Sequence, residues 1–172
     1  LSGKIAAVCV TSGPGGTNAI TGVLGGWLDS IPMLVISGQV RYDTTVQSTG
    51  LKLRQFGDQE FDIASCAATM TKYSVMVTVP DQIRYHLEKA LFLAVHGRPG
   101  PCWLDIPLNV QASLVDEDGL LPYDPNEDRT EECEPVSPET IEDILEKIKL
   151  AKRPVLFAGT AIRGSNSVEA FQ

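Results

Sequence analysis

Apolar residues run through the chain in short stretches divided by glycine and proline, and their spacing alternates between a strand-like and a helix-like period. Residues 5–10, Ile-Ala-Ala-Val-Cys-Val, predict a buried strand, residues 17–28 a helix and residues 33–36 a second strand. Within that helix Gly22, Gly25 and Gly26 lower the intrinsic propensity, which either close internal packing or a subunit interface would explain. Residues 73–77 read as a strand, and residues 80–95 as a helix with Ile83, Leu87, Ala90, Leu91 and Ala94 on one face, stopped by Gly97. Residues 101–106 form another apolar strand, edged by Pro99 and Pro107. Strands alternating with helices imply an α/β fold, a parallel sheet flanked by helices. Ser137-Pro138 then signals a new helix, N-cap followed by proline at its first position, with Ile141, Ile144, Leu145 and Ile148 as the inner face. Residues 155–158 are expected to open the sheet of a second α/β domain.

The stretch Val10-Thr11-Ser12-Gly13-Pro14-Gly15-Gly16-Thr17-Asn18 joins the first strand to the first helix. Gly13, Gly15 and Gly16 permit positive φ and close backbone approach, Pro14 stiffens the turn, and Thr17 and Asn18 add polar side chains. The pattern is not Gly-x-Gly-x-x-Gly, since Asn18 stands in the last glycine's place, and it lacks the Gly-Lys-Ser/Thr of a phosphate loop. On these residues alone a structural tight turn and a ligand-holding turn both stand.

Composition narrows the classes. With 172 residues, 43% hydrophobic and 21% charged, the chain can bury one good core. No apolar run approaches the roughly 20 residues of a membrane span, and the first residues do not form a signal-type segment, so a cytoplasmic location is expected. Charge is uneven: residues 1–110 carry 8 acidic and 8 basic groups, residues 111–150 carry 13 and 3. The acidic excess falls on residues 111–136, where Asp116-Glu117-Asp118, Pro122, Pro125 and Glu131-Glu132 compose an exposed connector. With no basic patch, nucleic acid is excluded as an expected partner, and so is a membrane. Cys9, Cys66, Cys102 and Cys133 are far apart in sequence and predict reduced, mostly packed thiols. His86 and His96 need no role beyond favourable placement in and near a helix end.

Longer motifs say more than the turn alone. From residues 8 to 40, Gly13-Pro14-Gly15-Gly16-Thr17-Asn18 leads through Trp27-Leu28-Asp29-Ser30-Ile31-Pro32-Met33 to Ile36-Ser37-Gly38-Gln39-Val40. Asp58-Gln59-Glu60 with Thr71-Lys72-Tyr73 follows, then Gly97-Arg98-Pro99-Gly100-Pro101 running into Leu104-Asp105-Ile106-Pro107. This closely resembles the thiamine diphosphate-dependent enzymes of the acetolactate synthase large (catalytic) subunit type. The resemblance covers residues 1–110 strongly and residues 137–164 more loosely, through Arg153-Pro154-Val155-Leu156 and Ala158-Gly159.

The resemblance implies residues 1–110 as the pyrimidine-binding domain lacking its first part, residues 111–136 as a connector and residues 137–172 as the start of the central domain. Leu1-Ser2-Gly3-Lys4, which resembles a helix end closed by glycine, and the stop at Gln172 fit an internal piece. It further implies a carboligase that decarboxylates pyruvate and transfers the two-carbon unit to a second 2-oxo acid, a transferase or lyase of branched-chain amino acid biosynthesis. Pro14 and Asn18 would lie against the aminopyrimidine ring, with Gly13, Gly15 and Thr17 shaping the loop and Gln59 facing the reactive region. The activating glutamate belongs upstream of Leu1, and the diphosphate and magnesium belong to a domain whose Gly-Asp-Gly motif does not occur here, so no metal ligand is named. Flavin stays open, a homo-oligomer of at least two subunits is expected, and the piece by itself is expected to be inactive.

One departure bears on substrate. The segment between Gln39 and Gln59 is longer than in the acetolactate synthases, and Asp58 stands where an aromatic residue is usual. Lys52 and Arg54 on it could pair with a substrate carboxylate or be plain surface cations. Another thiamine diphosphate-dependent 2-oxo acid decarboxylase or lyase, a non-catalytic binding module of the same fold and a nucleotide-binding domain are the alternatives.

Overall fold

The computed structural model describes residues 4–128 and 135–172, which divide into two compact units, Leu1–Arg129 and Thr130–Gln172. The helix end read into Leu1-Ser2-Gly3 and the state of Cys133 lie outside the described residues. In the first unit β1 (Ala6–Val10), β2 (Met33–Gln39), β3 (Tyr73–Met76) and β4 (Pro101–Pro107) form a four-stranded sheet in the order β1-β2-β4-β3. All three pairings are parallel, with Val35 opposite Trp103 and Val8 opposite Val35. The expected parallel sheet flanked by helices is therefore the fold.

Side-chain alternation in the central strands assigns each face its helices. Val35 and Trp103 point to one face and pack with Val23 of α1 (Pro14–Leu28) and with Ile63 and Ala67 of α3 (Ile63–Ala67). Leu34, Cys102 and Leu104 point to the other and pack with Ala90 and Ala94 of α4 (Ile83–Val95). A short α2 (Val46–Thr49) precedes α3, and α5 (Leu108–Gln111) follows β4 directly. Gly97 has φ 62°, the left-handed conformation that closes α4 as its sequence position predicts.

Four sequence expectations are corrected. Among the described residues, 5–10 do not form a buried strand: β1 pairs with β2 alone, at the edge of the sheet, and Val8 is 39% exposed. The inner face of α4 is Ala90, Leu93 and Ala94, while Leu87 and Leu91 turn outward, because the helix packs closely through its alanines. Residues 155–158 form no strand, since no other strand is present among the described residues of the second unit to complete a ladder. Cys102 is buried, Cys66 half-buried and Cys9 exposed, so packing holds for part of the thiols only.

The glycines of α1 split between the two explanations offered for them. A Cβ on Gly26 would lie 2.5 Å from Met33 Cε, so the helix packs closely there and the flexible Met33 side chain would have to shift for any larger residue. Nothing lies within 4 Å of a Cβ on Gly22 or Gly25.

The acidic segment after β4 is mostly exposed but pinned at Tyr123, which is buried edge-on against Tyr85 and beside Phe92 of α4. Asp128 accepts from Tyr123 Oη at 2.9 Å and pairs with Lys89 Nζ at 2.6 Å. The Lys89 ammonium sits 5.4–5.6 Å from the rings of Tyr73, Tyr85 and Tyr123. Burial opposes its charge, yet the hydrogen bonds to Asp128 and Tyr85 outweigh this and raise its pKa. Tyr123→Ala is expected to weaken this docking by about 2 kcal/mol, seen as faster hydrogen exchange over residues 117–128 with the sheet unchanged. Unchanged exchange there would mean that the ring does not hold the segment.

The second unit holds α6 (Pro138–Leu150), α7 (Ala161–Gly164) and α8 (Val168–Phe171). Ser137 caps α6 as its sequence predicts, its Oγ accepting from Thr140 N at 3.2 Å, with Pro138 in the first turn. Ile141, Ile144, Leu145 and Ile148 stay 44–49% exposed, so their stripe is not buried by the described residues.

Candidate functional site

The first strand ends at Val10 and the chain turns through Thr11, Ser12 and Gly13 into α1, at the carboxyl end of a parallel sheet, where open α/β folds place ligands. Gly13 is the N-cap of α1, with φ 53° and ψ −113°, a conformation that glycine adopts readily and other residues do not. Pro14 follows in the first turn, where its missing N–H costs nothing. Pro14, Thr17 and Asn18 are exposed, Gly15 is half-buried, and Thr17 Oγ1 donates to the Pro14 carbonyl at 3.2 Å. Asn18 lies inside the helix and is not its cap.

The structure brings Gln59 to this turn across a long stretch of chain. A Cβ added to Gly13 would lie 2.3 Å from the Gln59 carbonyl oxygen, so the two backbones touch and only glycine fits. Gln59 has φ 55°, a left-handed conformation costly for a non-glycine residue, and its side chain is exposed. The Glu60 carboxylate beside it accepts from the backbone N–H groups of Val46, Phe56 (3.0 Å) and Gly57 (3.3 Å), folding the 40–58 segment onto itself. Lys52 and Arg54 are exposed on that segment.

Beneath the loop lies a buried polar network whose members the sequence motifs contain but to which sequence reasoning gave no role. Ser37 and Asp105 are fully buried and Gln39 nearly so. Ser37 Oγ donates to Asp105 Oδ1 at 2.5 Å and accepts from Trp103 Nε1 at 2.8 Å. Gln39 Nε2 donates to Asp105 Oδ2 at 2.9 Å and to the Phe61 carbonyl at 2.8 Å, and Gln39 Oε1 accepts from Val40 N at 3.0 Å. The available signal was a set of polar residues, Ser37 and Gln39 two apart on one strand and Asp105 on its neighbour, within otherwise apolar, doubly covered strands, where burial demands partners.

Burial pushes the Asp105 carboxyl up to about 6, against the pull of its hydrogen bonds from Ser37 and Gln39 and with added repulsion from Asp62. The folded state thus holds this proton to higher pH than the unfolded chain, whose carboxyl ionises near 4, so this group's contribution to stability falls as pH rises from about 4 to about 6. The expected loss is roughly 2–3 kcal/mol across that window, and Asp105→Asn should remove it. Urea midpoints of both proteins across the window check this; parallel profiles would contradict it.

Elsewhere, His86 is half-buried and its Nδ1 lies 2.7 Å from Tyr73 Oη, and burial followed by the nearby Lys89 charge lowers its pKa. This is a structural contact within the helix region where its sequence position places it. Among the described residues no group of three or more His, Cys, Asp or Glu side chains is arranged to hold a metal ion, and no helix is long and apolar enough to cross a membrane.

Comparison with known proteins supplies what geometry does not. The family described as thiamine pyrophosphate enzyme, N-terminal TPP binding domain, matches residues 1–66, a stretch that includes both the Gly13 turn and Gln59. The acetolactate synthase large subunit of Lactococcus lactis subsp. lactis is 36% identical over 99% of this chain and 28% of its own length. This chain is similar to the acetolactate synthase large subunits. That of Buchnera aphidicola subsp. Acyrthosiphon pisum is 37% identical over 98% of this chain and 28% of its own length. The mitochondrial acetolactate synthase catalytic subunit of Saccharomyces cerevisiae is 32% identical over 94% and 23%. The chain therefore spans less than a third of the relatives it matches.

Proposed function

We propose that this chain forms the aminopyrimidine side of a thiamine diphosphate site in an acetolactate synthase-like carboligase. The observation that carries the reading is the contact of Gly13 with Gln59, which sets an exposed proline and two side-chain amides, those of Asn18 and Gln59, around one turn. This donor set suits an aminopyrimidine, a flat ring with hydrogen-bonding edges. Pro14 offers a rigid apolar surface, Asn18 and Gln59 offer amides, and Gly13, Gly15 and Thr17 shape the floor. Among the described residues no group is arranged to hold magnesium, so no step is assigned to a metal here.

When bound, thiamine diphosphate supplies the electron sink for breaking and making bonds next to a carbonyl. The chain's own residues orient the ring and exclude water from one wall of the cleft. In this reading residues 1–110 are the pyrimidine-binding domain, residues 111–136 the connector and residues 137–172 the start of a central domain. A homo-oligomer of at least two subunits belongs to the same proposal, supported by the open space over Gly22 and Gly25 beside exposed Leu24 and Leu28.

A second reading, a decarboxylase or lyase acting on another 2-oxo acid, is favoured by the folded 40–58 segment. Its short α2 and Glu60-centred hydrogen bonds place extra structure next to Gln59. The full-length protein supplied with pyruvate, thiamine diphosphate and magnesium is expected to turn two pyruvates into one acetolactate and one carbon dioxide. Release of aldehyde alone supports the second reading; no consumption of either pyruvate or other 2-oxo acids overturns both.

A further inference from the structure

Gln59 holds a backbone conformation that a non-glycine residue keeps only where its surroundings over-determine it. Two anchors bracket it. On one side the Glu60 carboxylate is occupied by three backbone N–H groups of its own loop. On the other, the Phe61 carbonyl is held by Gln39 Nε2 at 2.8 Å, from the last residue of a strand in the middle of the sheet.

We propose that Gln39, oriented by Asp105, is a positioning residue that fixes Gln59 against Gly13. A primary amide has two N–H donors, and Gln39 uses one on each of two acceptors: the Asp105 carboxylate, which belongs to the sheet, and the Phe61 carbonyl, which belongs to the loop. Its own carbonyl is taken by Val40 N at 3.0 Å, so the amide cannot flip without breaking all three bonds. Asp105 is in turn fixed by Ser37, and Ser37 by Trp103 in the core. The loop position is thereby tied to the most buried part of the molecule. A carboxylate or a thioether at position 39 has no N–H to offer either acceptor; it would leave one Asp105 oxygen without its donor and the Phe61 carbonyl held only by the Ile63 N–H of its own loop at 2.8 Å. Glutamine is the residue that joins both.

This inference rests on the reading of Gln59 as a cofactor-facing residue, but its first test does not. In the cofactor-free full-length protein, Gln39→Met should speed hydrogen exchange at the Phe56, Gly57 and Ile63 amides about 10-fold while leaving the β2 and β4 ladder unchanged. Gln39→Asn, a methylene shorter and unable to reach both acceptors, should give the same pattern and covers the case that Gln39→Met does not fold. Unchanged exchange, or acceleration spread evenly over the sheet, overturns the proposal. The second test is a double-mutant cycle on kcat with Gln59→Ala: a residue acting through Gln59 loses its effect once that side chain is gone, whereas additive losses mean a merely structural role and overturn the proposal. If the parent protein shows no thiamine diphosphate-dependent turnover, the functional reading fails and the exchange experiment alone decides whether the clamp exists.

Discussion

Gly13→Ala is expected to cost about 3–4 kcal/mol of stability and to displace the Gln59 loop. Two costs coincide there. The φ of 53° with ψ of −113° strains any residue with a Cβ, and that Cβ would stand 2.3 Å from a backbone carbonyl oxygen that has no rotamer by which to move aside. Gly15→Ala is the control, because its nearest neighbour is a side-chain methyl, Thr11 Cγ2 at 2.6 Å, which can rotate away. Urea unfolding of both variants checks this. A Gly13→Ala protein within about 1 kcal/mol of the parent would mean that the two backbones do not meet as described.

Trp103→Ala should be the more damaging change, at about 4–5 kcal/mol. Trp103 is fully buried in the core cluster with Val23, Val35, Ile63 and Ala67, on a strand paired on both sides. Removing it opens a cavity between α1, α3 and the sheet and takes the indole donor from Ser37, the base of the network under the loop. Trp103→Phe should fill most of that space and cost about 1–2 kcal/mol, chiefly through the lost hydrogen bond. Comparable losses in the two variants would argue that packing is not what holds this face together.

The fold was legible where local pattern and burial agree. The apolar runs at residues 33–36 and 101–106 marked strands covered on both faces, Gly97 marked a left-handed helix end, and Ser137-Pro138 marked a capped start; each is present. It failed where burial depends on a neighbour that local sequence does not report. Residues 5–10 have a core-strand composition but sit at a sheet edge, and residues 155–158 have it without any partner strand among the described residues of their unit. Tyr123 lay hidden in an acidic stretch because its partners Tyr85, Lys89 and Phe92 are remote in sequence.

The candidate site divides in the same way. The glycine turn announced a place for close approach but not what approaches, and the resemblance of whole motifs supplied the cofactor reading. No periodicity could show that Gly13 meets Gln59, or that Gln39 and Asp105 join beneath them, since those contacts come from strand order and loop path.

The most direct test of the cofactor assignment is hydrogen exchange of the full-length protein with and without thiamine diphosphate and magnesium. Protection concentrated at Gly13, Gly15, Thr17 and Asn18 and at the Gln59 loop is the expected result. Saturating cofactor that protects other regions while leaving those amides unchanged would contradict the account.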